Sequence, residues 1–316
     1  MSNPAASRPA TASSGVATLV RGDARPVRVL AVFRAAVYLG HDDGVVALVA
    51  SDGIHHPNAI VVPDATAAVP FAGVRTHQRG TVGDGGVVLP GLRLRVTRWT
   101  DPVPHLGRVD PTRLRAHARE AREHLVVATG PVPESLRQPA VRVGAALLDG
   151  DTAGAVAAAR RLLGAGPGLT PSGDDVLAGL LSAVPALERA LHGPPATPLT
   201  TVTTALGGAI VDLARDATTA VSAALLLHAA RVEVAAPAAA VLHAFTGRGD
   251  LRAAVDGLLA VGSTSGRDLT VGLLAGADLV LAASAAPGAP ATTLATASST
   301  ASVTTASRSA TDPRTL

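Results

Sequence analysis

The spacing of hydrophobic residues changes along this chain of 316 residues. Early on, apolar positions come in short runs or alternate with polar ones. The run 27-VRVLAVFRAAVYLG-40 is rich in β-branched residues, and 44-GVVALVA-50 follows a turn at HDD. The tetrapeptide 83-GDGG-86 reads as a hairpin turn between 80-GTV-82 and 87-VVLPGLRLRVTRW-99. In that last run Leu92, Leu94 and Val96 alternate with Arg93 and Arg95, the period of a half-buried strand. Residues 16–105 are therefore predicted to form a compact β-rich domain.

From residue 110 the period becomes helical. Asp110 followed by Pro111 is a helix start, a capping carboxylate with proline at the first helical position. The first helix spans 111–127, and its charges read as a solvated face on which Arg119 and Glu123 pair four residues apart. Further helical runs fall at 134–148, 151–163, 174–191, 199–215, 218–231, 236–245, 250–260 and 267–284. The fold class is α+β: an N-terminal β-rich domain, then an all-helical domain over residues 106–285 carrying two Gly-rich loop-to-helix motifs. Residues 1–15 and 286–316 are rich in Ala, Ser, Thr and Pro without an apolar period, and are expected to be disordered tails.

Composition narrows the chemistry. Hydrophobic residues make up 47% and aromatics 2%, so the core should be tight helix packing around small side chains. The chain has no cysteine, which excludes disulfides, thiolate metal sites and a cysteine nucleophile. All 27 basic residues are arginine, so there is no Walker lysine and no Schiff-base lysine. A net charge of +3 with so few aromatics argues against nucleic-acid binding. The N-terminus lacks the apolar stretch of a signal peptide. The longest apolar run, 268-DLTVGLLAGADLVLAA-283, is broken by Asp278, short of the ~20 clean residues that span a bilayer. A soluble, cytoplasmic protein without membrane contact is expected.

The chain repeats itself once. Residues 172-SGDDVLAGLL-181 match 265-SGRDLTVGLL-274, and each copy follows a loop with further hydroxyls, Thr170 in the first, Ser263 and Thr264 in the second. The pairs Ser172/Asp175 and Ser265/Asp268 have the spacing of a capping box, which would satisfy backbone N–H groups at each helix start. Gly179 and Gly272 lie inside helices, where glycine costs about 1 kcal/mol relative to alanine. Their presence predicts that the two helices cross there, with both loops opening onto one pocket.

Two helix N-termini would present N–H groups and positive dipole ends to an anion. Gly166, Gly168 and Gly173 would let backbone amides approach a ligand. Arg267, which replaces Asp174 in the second copy, could clamp a carboxylate or phosphate. Asp174 is not needed for capping and could accept hydrogen bonds from an amide NH₂. Thr218, Thr219 and Ser222 either cap and pack a helix or line the same pocket. The candidate site is thus Asp174 and Asp175 as catalytic groups. Gly166, Gly168, Thr170, Ser172, Gly173, Thr218, Thr219, Ser222, Ser263, Thr264, Ser265, Gly266, Arg267 and Asp268 are the candidate substrate-binding residues. No cofactor is called for. Mg²⁺ on Asp174 and Asp175 is the one metal the pattern would admit, no H-x-x-x-H pair supports zinc, and His55–His56 reads as a loop feature. A dinucleotide loop is disfavoured because 155-AVAAARRLL-163 before it is helical.

Three segments in order resemble the AllH-type subunit of oxamate carbamoyltransferase: 166-GPGLTPSGDD-175, TTAVSAALLLHAA from Thr218, and 262-GSTSGRDLTVGLL-274. The resemblance covers roughly residues 20–285. It implies ureide catabolism, in which oxalurate plus phosphate gives oxamate plus carbamoyl phosphate. It also implies partners, an FdrA-like, acyl-CoA-synthetase-related subunit and a further companion. Ser263 stands where the family often has histidine, and Arg267 where it has a small residue. A non-catalytic ligand-binding or scaffolding subunit is the alternative expectation.

Overall fold

The alternating segments close on themselves. The computed structural model describes residues 7–42, 44–63 and 71–285. Its eight strands form a barrel in the order β1-β5-β4-β3-β2-β6-β7-β8. They are β1 (Arg8–Ser13), β2 (Arg25–Val32), β3 (Ala36–His41), β4 (Gly44–Ala50), β5 (Ala59–Val62), β6 (Arg79–Gly83), β7 (Gly86–Leu89) and β8 (Leu92–Thr100). A short helix, α1 (Ala17–Arg21), bridges β1 and β2. Val29, Val37, Leu39, Val46, Leu48, Ile60, Val82, Val87 and Leu94 fill the interior.

One expectation changes here. Residues 8–13 are not tail: β1 pairs parallel with β8 and antiparallel with β5, and so closes the barrel. Its sequence, RPATAS, hides this, because only Ala10, Ala12 and Ser13 are buried. Residues 1–6 and 286–316, the rest of the expected tails, lie outside the described residues. The run 27–40 is two strands, split where Phe33 N–H bonds to Ala36 O at 2.7 Å. The turn at 83–86 is as expected, with Asp84 at φ 48° and Gly85 at φ 80°, both left-handed as a tight hairpin turn requires.

β4 is apolar without alternation because both its faces are covered. Val46 and Leu48 point into the barrel, while Val45 packs outward on Val221 and Ala224. Those two belong to the helical domain, which comprises α2 (Pro111–Thr129), α3 (Glu134–Leu148), α4 (Thr152–Ala159), α5 (Ser172–His192), α6 (Pro198–Ala217), α7 (Ala220–Ala230), α8 (Ala236–Phe245), α9 (Leu251–Leu259) and α10 (Ser265–Ala285). Asp110 caps α2 through Arg113 N–H at 2.9 Å. Backbone bonds pin the domains together, Ala236 N–H to His55 O and Val234 N–H to Pro102 O, each at 3.0 Å.

Helix α5 is buried along nearly its whole length and runs against α10. They touch backbone to backbone: a Cβ on Gly179 would lie 2.4 Å from Leu269 O, and one on Gly272 would lie 2.1 Å from Val176 O. One turn on, Gly276 accommodates Ala183. Among the described residues α10 is the helix that by length and hydropathy would pass for a membrane span, but here it packs on α5, α2 and α9, with Asp278 paired to Arg122 at 2.6 Å.

The repeat extends beyond the motif. Each long helix follows a shorter one capped by aspartate, Asp151 before α4 and Asp250 before α9, through bonds of 2.8 and 2.9 Å. In each copy the motif glycine sits on a carbonyl of the preceding segment. A Cβ on Gly173 would be 2.0 Å from Leu162 O, and one on Gly266 1.9 Å from Leu258 O.

Gly179→Ala or Gly272→Ala should destabilise the fold by about 3 kcal/mol or more, since backbone must move to admit the methyl. Gly208→Ala and Gly257→Ala, helical glycines with nothing near the new Cβ, should instead stabilise by roughly 0.5–1 kcal/mol. Denaturant unfolding of the four variants checks this; similar values for both pairs would mean that the crossing tolerates side chains.

Candidate functional site

The two loops do meet. Thr170 Oγ1 and Ser265 Oγ are 2.8 Å apart, at the starts of α5 and α10. Beneath them lies a cavity of about 180 Å³ between barrel and helices. Thr170, Asp175, Ser182, Glu233 and Ser265 line it from the helical side, Tyr38 and His56 from the barrel. The walls are held close: a Cβ on Gly15 would lie 2.5 Å from Pro57 O and 2.9 Å from Glu233 Oε2.

Asp175 is the outstanding group. It is buried, and its Oδ2 has no hydrogen-bond partner. Burial pushes its carboxyl up to about 8, aided by the charges of Asp268 and Asp174 and opposed by the Ser265 and Thr170 hydroxyls. At neutral pH it is a carboxylic acid, able to donate a proton. His56 goes the other way: burial first, then His55, lowers it to about 4, so its ring is neutral. Burial raises the Tyr38 phenol, which keeps its proton. Behind Glu233 stands His228, its Nδ1 2.5 Å from Glu233 Oε2. The cavity thus offers neutral groups and one carboxylate, Glu233, backed by an imidazole.

Asp174 has a different role from the one expected. Its carboxylate is 1% exposed and accepts from Gly164 N–H at 2.7 Å, from Ser222 Oγ at 2.7 Å and from Thr218 Oγ1. Three donors already hold it, and it does not line the cavity. Thr218 and Ser222 are spent on Asp174 rather than on a cavity wall. Thr219 caps α7 through Ser222 N–H at 3.1 Å and donates to Leu169 O at 2.5 Å.

The capping boxes do not form. Helix α5 follows Pro171 with no side-chain cap. Loop carbonyls take the first-turn donors instead: Gly173 N–H bonds Ala165 O at 2.9 Å and Asp175 N–H bonds Pro171 O at 3.2 Å. In the second copy Gly266 N–H bonds Val261 O and Asp268 N–H bonds Thr264 O, each at 3.0 Å. These amides are therefore unavailable to an anion. Arg267 is committed as well, with Nε and Nη2 both 2.7 Å from Asp268 Oδ1.

Of the residues expected from sequence, the cavity gathers Thr170, Asp175 and Ser265. Ser263, Thr264, Gly166 and Gly168 sit exposed on the loops, Gly173 and Gly266 serve the close backbone approach, and Ser172 does not reach the cavity. Sequence reasoning missed Tyr38, Ser182, Glu233 and His228 and dismissed His56 as a loop feature. The one readable signal was Ser182, a lone hydroxyl in the apolar run of α5, where it bonds Ala178 O at 2.8 Å.

Fold and site together define an α+β protein, an N-terminal barrel followed by helices, with a buried carboxyl raised to about 8 in a cavity between them. Residues 162–277 match the family model described as oxamate carbamoyltransferase subunit AllH. That stretch contains both motifs and α7 between them, so the resemblance read from the motifs is shown there and supports an AllH-like subunit. A subunit of such a system implies partner subunits. No curated protein and no solved structure matches the chain.

Asp175 titrates from the ordinary 3.8 when unfolded to about 8 when folded. The folded state therefore holds a proton the unfolded state releases, and stability falls as pH rises through that window. Asp175→Asn removes this dependence, so its stability relative to wild type should rise by about 1.4 kcal/mol per pH unit between pH 5 and 7. Urea unfolding of both proteins measures it; a constant difference would mean that Asp175 is ionised in the fold. Asp174→Ala should cost roughly 1.5–3 kcal/mol, because three donors lose their shared acceptor. Retention of wild-type stability would remove its structural role.

Proposed function

We propose that this chain is the carbamoyl-binding subunit of an oxamate carbamoyltransferase-type assembly, acting in the cytoplasm on oxalurate and phosphate. One observation carries the reading: Asp175, a carboxylic acid at neutral pH with an unpartnered oxygen, lies in the family-matched stretch and lines a small cavity between barrel and helices.

A phosphate oxygen attacks the ureido carbon of oxalurate, the C–N bond breaks, and the leaving nitrogen takes a proton to become the amide of oxamate. The carbonyl oxygen gains charge on the way. A donor fixed beside it stabilises that charge, and a group that is protonated near neutral pH can hand the proton on. Asp175 satisfies both requirements. Thr170 and Ser265 hydroxyls, already fixed on each other, orient the carbamoyl group, and neutral His56 accepts from its NH₂. Phosphate delivery falls to the partner subunits, an FdrA-like subunit and its companion, since among the described residues no arginine lines this cavity.

The test is reconstitution with those partners and an oxalurate phosphorolysis assay. The isolated chain should be inactive and the assembly active, with kcat falling above about pH 8 as Asp175 ionises. Asp175→Asn should assemble normally and lose about 100-fold or more in kcat. Full activity in that variant, within an intact complex, would instead make this chain a scaffold.

A further inference from the structure

On the other side of α7, barrel and helices enclose a second cleft, of about 630 Å³. The same helix serves both: Ala220, Ala223 and Leu227 face this cleft, while Leu225 and Ala229 face the Asp175 cavity. Its walls carry three arginines, Arg28 of β2, Arg79 of β6 and Arg215 of α6.

Arg28 and Arg79 are register partners in the antiparallel β2–β6 pair. Like charges directly opposite one another destabilise a sheet unless something offsets them. Within the protein little does. Arg28 Nη2 donates to His77 Nδ1 at 2.7 Å, which fixes the guanidinium without neutralising it. Arg79 and Arg215 form no ion pair or side-chain hydrogen bond among the described residues. Among those residues the only carboxylate lining the cleft is Asp42. The floor is apolar, with Leu30 37% exposed and Val211 and Leu227 beside it.

Cations from both domains therefore converge on a space of small-molecule size. Guanidinium forks match phosphate oxygens bidentately, and an apolar floor rewards a ligand with a carbon body. We propose that this cleft binds a small organic phosphate, the phosphate among Arg28, Arg79 and Arg215 and the body over Leu30, Val211 and Leu227. The proposal does not depend on the reaction assigned to the Asp175 cavity.

Calorimetric titration of the full chain at low salt with phenyl phosphate, inorganic phosphate and benzoate tests it. Phenyl phosphate should bind about tenfold or more tightly than either of the others, which lack the body or the phosphate. Arg79→Gln and Arg215→Gln should each weaken it by about tenfold, the worth of a charge-assisted hydrogen bond. Both side chains are exposed, so the melting temperature should hold. Asp175→Asn should bind phenyl phosphate as the wild type does. Unchanged binding in the arginine variants overturns the proposal, as does loss of binding in Asp175→Asn, which would put the ligand in the other cavity. Failure of all three probes also overturns it, and a glutamate-rich peptide that binds instead would assign the cleft to an acidic protein partner.

Discussion

Everything at the site depends on how closely α5 approaches α10. Two helices can bring their backbones together only where neither carries a side chain, and Gly179 and Gly272 meet that condition at the same level. The contact fixes the depth at which both helices begin. It brings Thr170 and Ser265 within hydrogen-bond reach and buries Asp175 beside Asp268. A wider crossing would admit water between the helix starts, and Asp175 would revert to an ordinary ionised carboxylate.

Two adjacent carboxyl groups in one helical turn thereby acquire different surroundings. Asp174 points toward α7, where Gly164, Thr218 and Ser222 donate to it, and so ties the loop to that helix. Asp175 points toward α10 and finds hydroxyls on one side but no partner for its other oxygen. Burial without enough donors favours the acid, as at Asp175. The environment of each decides its role, and the two environments lie on different helices.

Helix α7 joins these features to the barrel. Its first turn holds Asp174, Val221 and Ala224 dock on Val45 of β4, and its opposite sides line two separate cavities. The uninterrupted apolar run of β4 records that docking, since only a strand covered on both faces can dispense with polar alternation. The barrel contributes Tyr38 and His56 to the Asp175 cavity, so neither domain makes it alone.

Local pattern alone set the class of fold, every helix of the second domain to within a few residues, the hairpin at Asp84–Gly85 and the crossing at Gly179 and Gly272. Each of these is written in short-range terms: apolar period, capping residues, positive-φ glycine, and glycine where a helix should not want one. β1 escaped because a strand that closes a barrel is recognised by its partners, β5 and β8, not by its own six residues. The site was half legible. The repeated motif located Thr170, Asp175 and Ser265, but it could not say that Arg267 turns onto Asp268 or that loop carbonyls occupy the helix amides. Nor could it show that burial would raise the carboxyl of Asp175. A sequence specifies which residues carry protons and donors. Which of them are desolvated, and which find partners, depends on atoms brought from distant parts of the chain, and only the tertiary structure decides that.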